Sequence, residues 1–187
     1  PFLNMFEILI SNLFSLALVF AIAYWRSPNV RTAAVVVLPV LLLLALWAVA
    51  VTPTDTHLPP TYETPILWLH VGAGKLFLGF CLVAVGLSGL MWLRQTRLAH
   101  LFAALPPDAA LDQLAWRFML AALAFQSLML IAGAWWAQGA WGRYWAWDPL
   151  ETWAFVTWLA AVIAVHVRLT YRTGPRFGAA MIFVVFA

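Results

Sequence analysis

The stretch Trp135-Trp136-Ala137-Gln138-Gly139-Ala140-Trp141-Gly142-Arg143-Tyr144-Trp145-Ala146-Trp147-Asp148-Pro149-Leu150-Glu151-Thr152 is a short polar gap between two long apolar runs. Each run is long enough to be a membrane-spanning helix, for which about 20 apolar residues suffice. Five of the twelve tryptophans of the chain lie in this gap. Tryptophan is common at a membrane–water boundary because its indole is apolar in body and carries one N–H donor. An anchoring belt explains one or two such rings at a helix end. This density beside Arg143, Asp148 and Glu151 also fits a platform for a large planar ligand with acidic groups.

Working outward, the rest of the chain is of the same kind. It is 65% hydrophobic and 9% charged, against roughly 25% charged residues in a soluble domain. The expected fold is therefore all-α, a polytopic transmembrane helix bundle of about five full spans plus a truncated sixth. The spans are expected near Phe2–Tyr24, Thr32–Val51, Ile66–Leu93, Ala115–Gln138 and Pro149–Tyr171, with a cut-off run at Phe177–Ala187. In the connection between the third and fourth spans, Leu101–Leu105 suggests a short interfacial helix, and Pro106-Pro107-Asp108 the start of the next one. The 187 residues are read as a single transmembrane domain, a fragment lacking both natural ends. No basic block resembles a nucleic-acid surface, and a net charge of +3 is small.

The distribution of charge sets an orientation. Arg26 and Arg31, Arg94 and Arg97, and Arg168, Arg172 and Arg176 mark alternate loops. The connection around Asp55 and His57 has neither Lys nor Arg, and the tryptophan stretch has only Arg143. The positive-inside rule puts the arginine loops in the cytoplasm and the tryptophan stretch outside.

Asp148-Pro149-Leu150-Glu151 reads first as a helix start, with Asp148 at the N-cap, Pro149 in the first helical position and Glu151 in the first turn. An acid–base role for the two carboxylates is the competing reading. Trp141 and Trp145 are four apart and share a face if the segment is helical, with Trp147 and Tyr144 to the side. They serve either as a belt or as a stacking surface, with Arg143 offering a bidentate fork to a carboxylate.

Two of the four histidines lie in spans. His70 is at the outer end of the third, and His166 lies roughly 20 Å below the outer end of the fifth. A histidine at membrane depth is either hydrogen-bonded structure or a ligand, and neutral imidazole is a natural axial ligand of haem iron. That difference in depth prevents the two from ligating one iron. His57 and His100 read as solvated loop residues. Lys75 is expected to pair with Glu7 across the bundle, or else to meet an anionic group of a ligand. Gln126 and Ser127 read as interhelical hydrogen-bonding residues, and Cys81 as a small core residue. Without a C-x-x-C-H motif the chain is not itself a covalently haem-loaded cytochrome c.

The run Trp141 to Trp153 resembles the tryptophan-rich "WWD" signature of the cytochrome c assembly proteins, which handle haem. Its continuation through Thr157-Trp158 to His166-Val167-Arg168 is similar to the CcsA/ResC branch, the membrane core of the system II cytochrome c synthase. Asn4-Met5-Phe6-Glu7 resembles an early element of that branch, with Phe6 in place of the usual Tyr, and Trp68-Leu69-His70-Val71 resembles its histidine segment. Leu150 departs from a common Lys.

The resemblance implies an enzyme subunit, a holocytochrome c synthase (haem lyase), with haem b as the transported substrate. His70 and His166 would be axial ligands of haem iron at separate sites. Trp141, Arg143, Trp145, Trp147 and Asp148 would be the remaining haem-binding residues. The implied partners are a CcsB/ResB-like membrane subunit, a C-x-x-C-H apocytochrome c and thiol-reducing proteins. A second outer histidine is expected beyond Ala187, and the second in-membrane histidine on the CcsB/ResB partner. The implied location is a bacterial inner membrane or a thylakoid membrane, with the tryptophan stretch on the periplasmic or lumenal side. A haem carrier without lyase activity and a non-enzymatic membrane subunit stay open as alternatives.

Overall fold

The computed structural model describes residues 4–54, 63–97, 99–102 and 104–186. His57 lies outside them. The described residues form six helices: α1 (Met5–Arg26), α2 (Ala34–Ala50), α3 (Pro65–Leu93), α4 (Asp108–Trp141), α5 (Pro149–Tyr171) and α6 (Pro175–Phe186). A 3-10 turn, Pro28–Ala33, leads directly into α2. Five helical segments are long and apolar enough to cross a membrane, and α6 is shorter. The polytopic helical bundle expected from composition is the observed architecture.

The bundle is built around α3, which is buried along most of its length. Glycines on α3 let its neighbours approach closely. A Cβ on Gly79 would stand 2.7 Å from Val19 of α1, and one on Gly86 would stand 2.7 Å from Val37 of α2. Small residues at helix contacts allow this packing where lipid supplies no hydrophobic driving force. Cys81 is buried in the same core, as expected, with its Sγ 4.0 Å from Met119 Sδ.

The helix α4 begins at Asp108, where Pro106-Pro107-Asp108 signals a start, well ahead of the apolar span at Ala115, and runs on to Trp141 rather than Gln138. An apolarity count misses the polar first turns, which helical hydrogen bonding includes. The short helix expected at Leu101–Leu105 is a 3-10 turn at Ala99–Phe102. Arg94 organises this connection. Its guanidinium donates to the carbonyls of Phe102, Leu105 and Pro106 at 2.7–2.9 Å and to Asp108 Oδ1 at 2.7 Å. His100 is exposed, with its Nδ1 3.1 Å from the Arg97 carbonyl.

At the end of the bundle away from the tryptophans, Arg168 of α5 pairs with Asp112 of α4 and donates to the Thr173 carbonyl. It also lies 5.6 Å over the ring of Trp116. Gly178 of α6 closes this cluster: a Cβ there would stand 2.9 Å from both Asp112 Oδ1 and Trp116 Nε1. Farther along, Gln126 Nε2 donates to the Ala154 carbonyl at 3.3 Å, and Trp158 Nε1 donates to Ser127 Oγ at 2.8 Å. Gln126 and Ser127 thus join α4 to α5 in the interhelical role expected of them.

Candidate functional site: a histidine in a tryptophan-walled cavity

The tryptophan stretch divides at Gly142. α4 ends at Trp141, and Gly142 takes the left-handed conformation at φ 71°. This terminates the helix as glycine does at low steric cost. Trp141 and Trp145 therefore do not share a helical face, because the helix stops between them. Trp136 and Trp141 instead meet edge to face with centroids 4.9 Å apart.

The chain then reverses into α5. Trp147 has a positive φ of 59°, a conformation that costs a residue with a Cβ roughly 1–2 kcal/mol. Asp148 Oδ1 accepts from the Glu151 N–H at 2.9 Å, and Glu151 Oε2 accepts from the Ala146 N–H at 2.7 Å. The two carboxylates thus cap the helix start, Asp148 satisfying an N–H of its first turn and Glu151 an N–H of the preceding loop. Replacing Glu151 by Ala is expected to cost about 1 kcal/mol of local stability, read as faster hydrogen exchange at Ala146 and along the first turn of α5.

A cavity of about 310 Å³ lies beneath this turn, between the ends of α3, α4 and α5. His70, Trp136, Trp141, Tyr144, Trp145, Asp148 and Glu151 line it, with Met129 and Gly133 at its α4 wall. His70 is half-buried, and its Nδ1 lies 2.8 Å from the Met129 carbonyl. A carbonyl only accepts, so Nδ1 carries the proton and Nε2 keeps its lone pair. Gly133 makes the arrangement possible, since a Cβ there would stand 2.7 Å from Nδ1 and 2.8 Å from Cε1 of His70. The Trp145 indole N–H is enclosed in the wall with no hydrogen-bond partner among the described residues.

The structure brings together four of the seven residues singled out in the sequence: His70, Trp141, Trp145 and Asp148. Arg143 is not among the residues lining this cavity. It borders a separate recess of about 430 Å³ with Trp141 and Asp148. Trp147 is 68% exposed and packs edge-on against Trp145 and Phe155, at 5.7 and 6.3 Å. His166 is exposed on α5, about 25 Å along the helix from Pro149. Arg168, two residues beyond it, contacts Asp112, whereas His70 contacts Met129. Those contacts lie about 25 Å apart along α4, so His70 and His166 belong to different ends of the bundle.

Sequence reasoning missed Trp136, Met129 and Gly133 as parts of the site. Trp136 was visible in the tryptophan cluster, but its place in the wall depends on α4 continuing past Gln138. Nothing local to Met129 or Gly133 connects them with a histidine on another helix.

Residues 2–187 match the family described as Cytochrome C assembly protein. The chain is similar to the cytochrome c biogenesis protein CcsA of Calycanthus floridus var. glaucus, 41% identical over 78 residues, or 40% of this chain and 24% of the relative. It is also similar to CcsA of Chlamydomonas reinhardtii, 48% identical over 60 residues, or 32% of this chain and 17% of the relative. With CcsA of Guillardia theta the identity is 46% over 78 residues, covering 40% and 26%. Each match spans about a quarter of the relative's length or less. No solved structure matches. On the match across nearly its whole length, this membrane-embedded helical bundle belongs to the cytochrome c assembly protein family.

Proposed function

We propose that this chain is the haem-presenting membrane subunit of a cytochrome c synthase. The observation that carries the reading is the state of His70. Its Nδ1–H is committed to the Met129 carbonyl, which leaves Nε2 as an available metal-ligating atom in a cavity walled by Trp136, Trp141 and Trp145. A hydrogen bond on the second ring nitrogen is the usual support of a metal-bound histidine, because it fixes the tautomer and raises basicity. Aromatic walls suit a planar macrocycle. The membership of the family and the names of the CcsA relatives point the same way.

On this reading haem b is the substrate, with His70 as an axial ligand and Trp141, Trp145 and Asp148 bordering it. Arg143 and Trp147 act at its outer margin, where their recess and ring contacts lie. His166 serves a second, deeper haem position, completed by a CcsB/ResB-like partner against the exposed face of α5. The tryptophan end faces the periplasm or lumen. There the two thiols of a C-x-x-C-H apocytochrome add across the haem vinyl groups. Each addition breaks one S–H bond and one vinyl π bond and forms one C–S and one C–H bond, with no net oxidation. The protein's contribution is position and electrostatics, while the cofactor and thiols carry the chemistry.

The test is the absorption spectrum of the full-length synthase complex purified from cells that make haem. Wild type is expected to carry b-type haem, and His70→Ala is expected to lose the axial-ligand signature of one haem while His166→Ala changes the other. Covalent cytochrome c formed in cells lacking their own synthase separates lyase from carrier. A complex with no haem, or a His70→Ala spectrum identical to wild type, would refute the reading.

A further inference from the structure

The tryptophan end of the bundle carries a recess of about 430 Å³ that is separate from the His70 cavity but shares Trp141 and Asp148 with it. Its remaining wall is Arg143. The two spaces differ in chemistry. Aromatic and small apolar side chains make up most of the cavity wall, whereas the recess sets a guanidinium beside a carboxylate. Asp148 commits Oδ1 to the Glu151 N–H, which leaves Oδ2 as an acceptor. Arg143 is exposed, and among the described residues no hydrogen bond or ion pair holds its guanidinium.

A second observation is independent of that charge pair. Beside Arg143, Tyr144 is 61% exposed and Trp147 is 68% exposed. Arg, Tyr and Trp are the side chains enriched among those that carry the energy of protein–protein binding. The loop that presents them is fixed in place. Gly142 and Trp147 both take positive φ, at 71° and 59°, a conformation unfavourable for a residue with a Cβ. The Glu151 carboxylate holds the Ala146 N–H between them. Strained backbone that its surroundings hold in place is concentrated at binding sites and clamps.

We propose that this recess binds the polypeptide substrate as an extended segment, its backbone carbonyls accepting from Arg143 and an N–H donating to Asp148 Oδ2. The inference rests on the haem reading above and assigns the two reactants to the two sides of one wall. The macrocycle lies in the apolar cavity at His70. The thiol-bearing chain lies in the polar recess, with Trp141 and Asp148 between them. The carboxylate expected from sequence as the partner of Arg143 belongs to a ligand whose cavity Arg143 does not line. A guanidinium presents its donors in a planar fork, which serves neighbouring carbonyls of a peptide as well as a carboxylate. Binding both reactants against one wall turns the meeting of thiol and vinyl group into a step within one complex.

The experiment uses the full-length, haem-loaded synthase complex and a fluorescently labelled peptide. The peptide carries serine in place of both cysteines of C-x-x-C-H, has blocked ends and contains no Asp or Glu. It therefore binds without reacting and offers Arg143 only neutral acceptors. Wild type is expected to bind it, and Arg143→Met to weaken binding by about ten-fold. Haem content and the His70-dependent spectrum are expected to stay as in wild type. Arg143→Lys is expected to recover part of the loss, because an ammonium keeps donors but not the fork. Arg97→Met, which removes an exposed arginine at the far end of the bundle, is expected to bind the peptide as wild type does. A wild-type complex that does not bind the peptide, or equal binding by wild type and Arg143→Met, overturns the proposal. Loss of haem in Arg143→Met also overturns it, since the recess would then serve a carboxylate of the ligand in the cavity. A haem spectrum that does not depend on His70 overturns the haem reading instead, whatever the peptide does.

Discussion

Replacing Gly133 by alanine is expected to weaken binding of the haem proposed to be held at His70 while leaving the bundle folded. The new Cβ would stand 2.7 Å from His70 Nδ1 and 2.8 Å from Cε1, distances that real Cβ contacts do not show. The ring must therefore leave its place against α4, and the 2.8 Å contact with the Met129 carbonyl goes with it. Losing the partner of a metal-bound histidine typically costs 10- to 100-fold in metal affinity, and displacement of the ring adds to that. The same substitution favours the helix by up to about 1 kcal/mol, because alanine is the better helix former. Site and scaffold therefore respond in opposite directions. The measurement is retained haem per complex, beside Gly139→Ala as a control, since a Cβ at Gly139 meets nothing within 4 Å. Equal haem content in the two variants would show that the contact between Gly133 and His70 does not control the ligand.

The second large effect is expected at the opposite end of the bundle. Asp112 is 3% exposed and paired with Arg168, which also lies over Trp116. Asp112→Ala leaves a guanidinium inside the α4–α5–α6 contact without its carboxylate. Removing one partner of a buried pair costs about 3–5 kcal/mol, because the remaining charge stays desolvated. Replacing both partners by apolar residues of similar size, Asp112→Leu with Arg168→Met, is expected to recover most of that loss. Thermal unfolding of the complex in detergent checks both. Arg168 and His166 are two positions apart on α5, so they point to nearly opposite sides of the helix. With Arg168 held inward by Asp112, His166 is turned to the exterior, where it is observed. The single variant is accordingly expected to disturb the His166-dependent spectrum more than that of His70.

These contrasts also show which features of the protein are local. The start of α5 was legible because its cap is closed within six residues: Asp148 accepts from Glu151, and Glu151 accepts from Ala146. The burial of Cys81 followed from its apolar neighbours in the same way. The end of α4 was harder to read, since the span expected to close at Gln138 continues to Trp141 before Gly142 caps it. Arg143 shows the reach of local reasoning. It is two residues from Trp141 and Trp145, yet the reversal after Gly142 leaves it bordering a neighbouring recess that shares Trp141 and Asp148 with the cavity.

The chain alone determined its solvent, the number of its long apolar helices, their principal caps and the family it belongs to. Those properties depend on composition and on interactions between residues a few positions apart. Only the tertiary structure decided which tryptophans line the cavity beneath Trp135–Thr152, which nitrogen of His70 is left with a lone pair, and which recess Arg143 borders. Met129, which bonds His70, lies 59 residues from it, and Asn12, which accepts from Lys75, lies 63 residues from it. Their geometry depends on how closely the helices cross, and no local pattern encodes it.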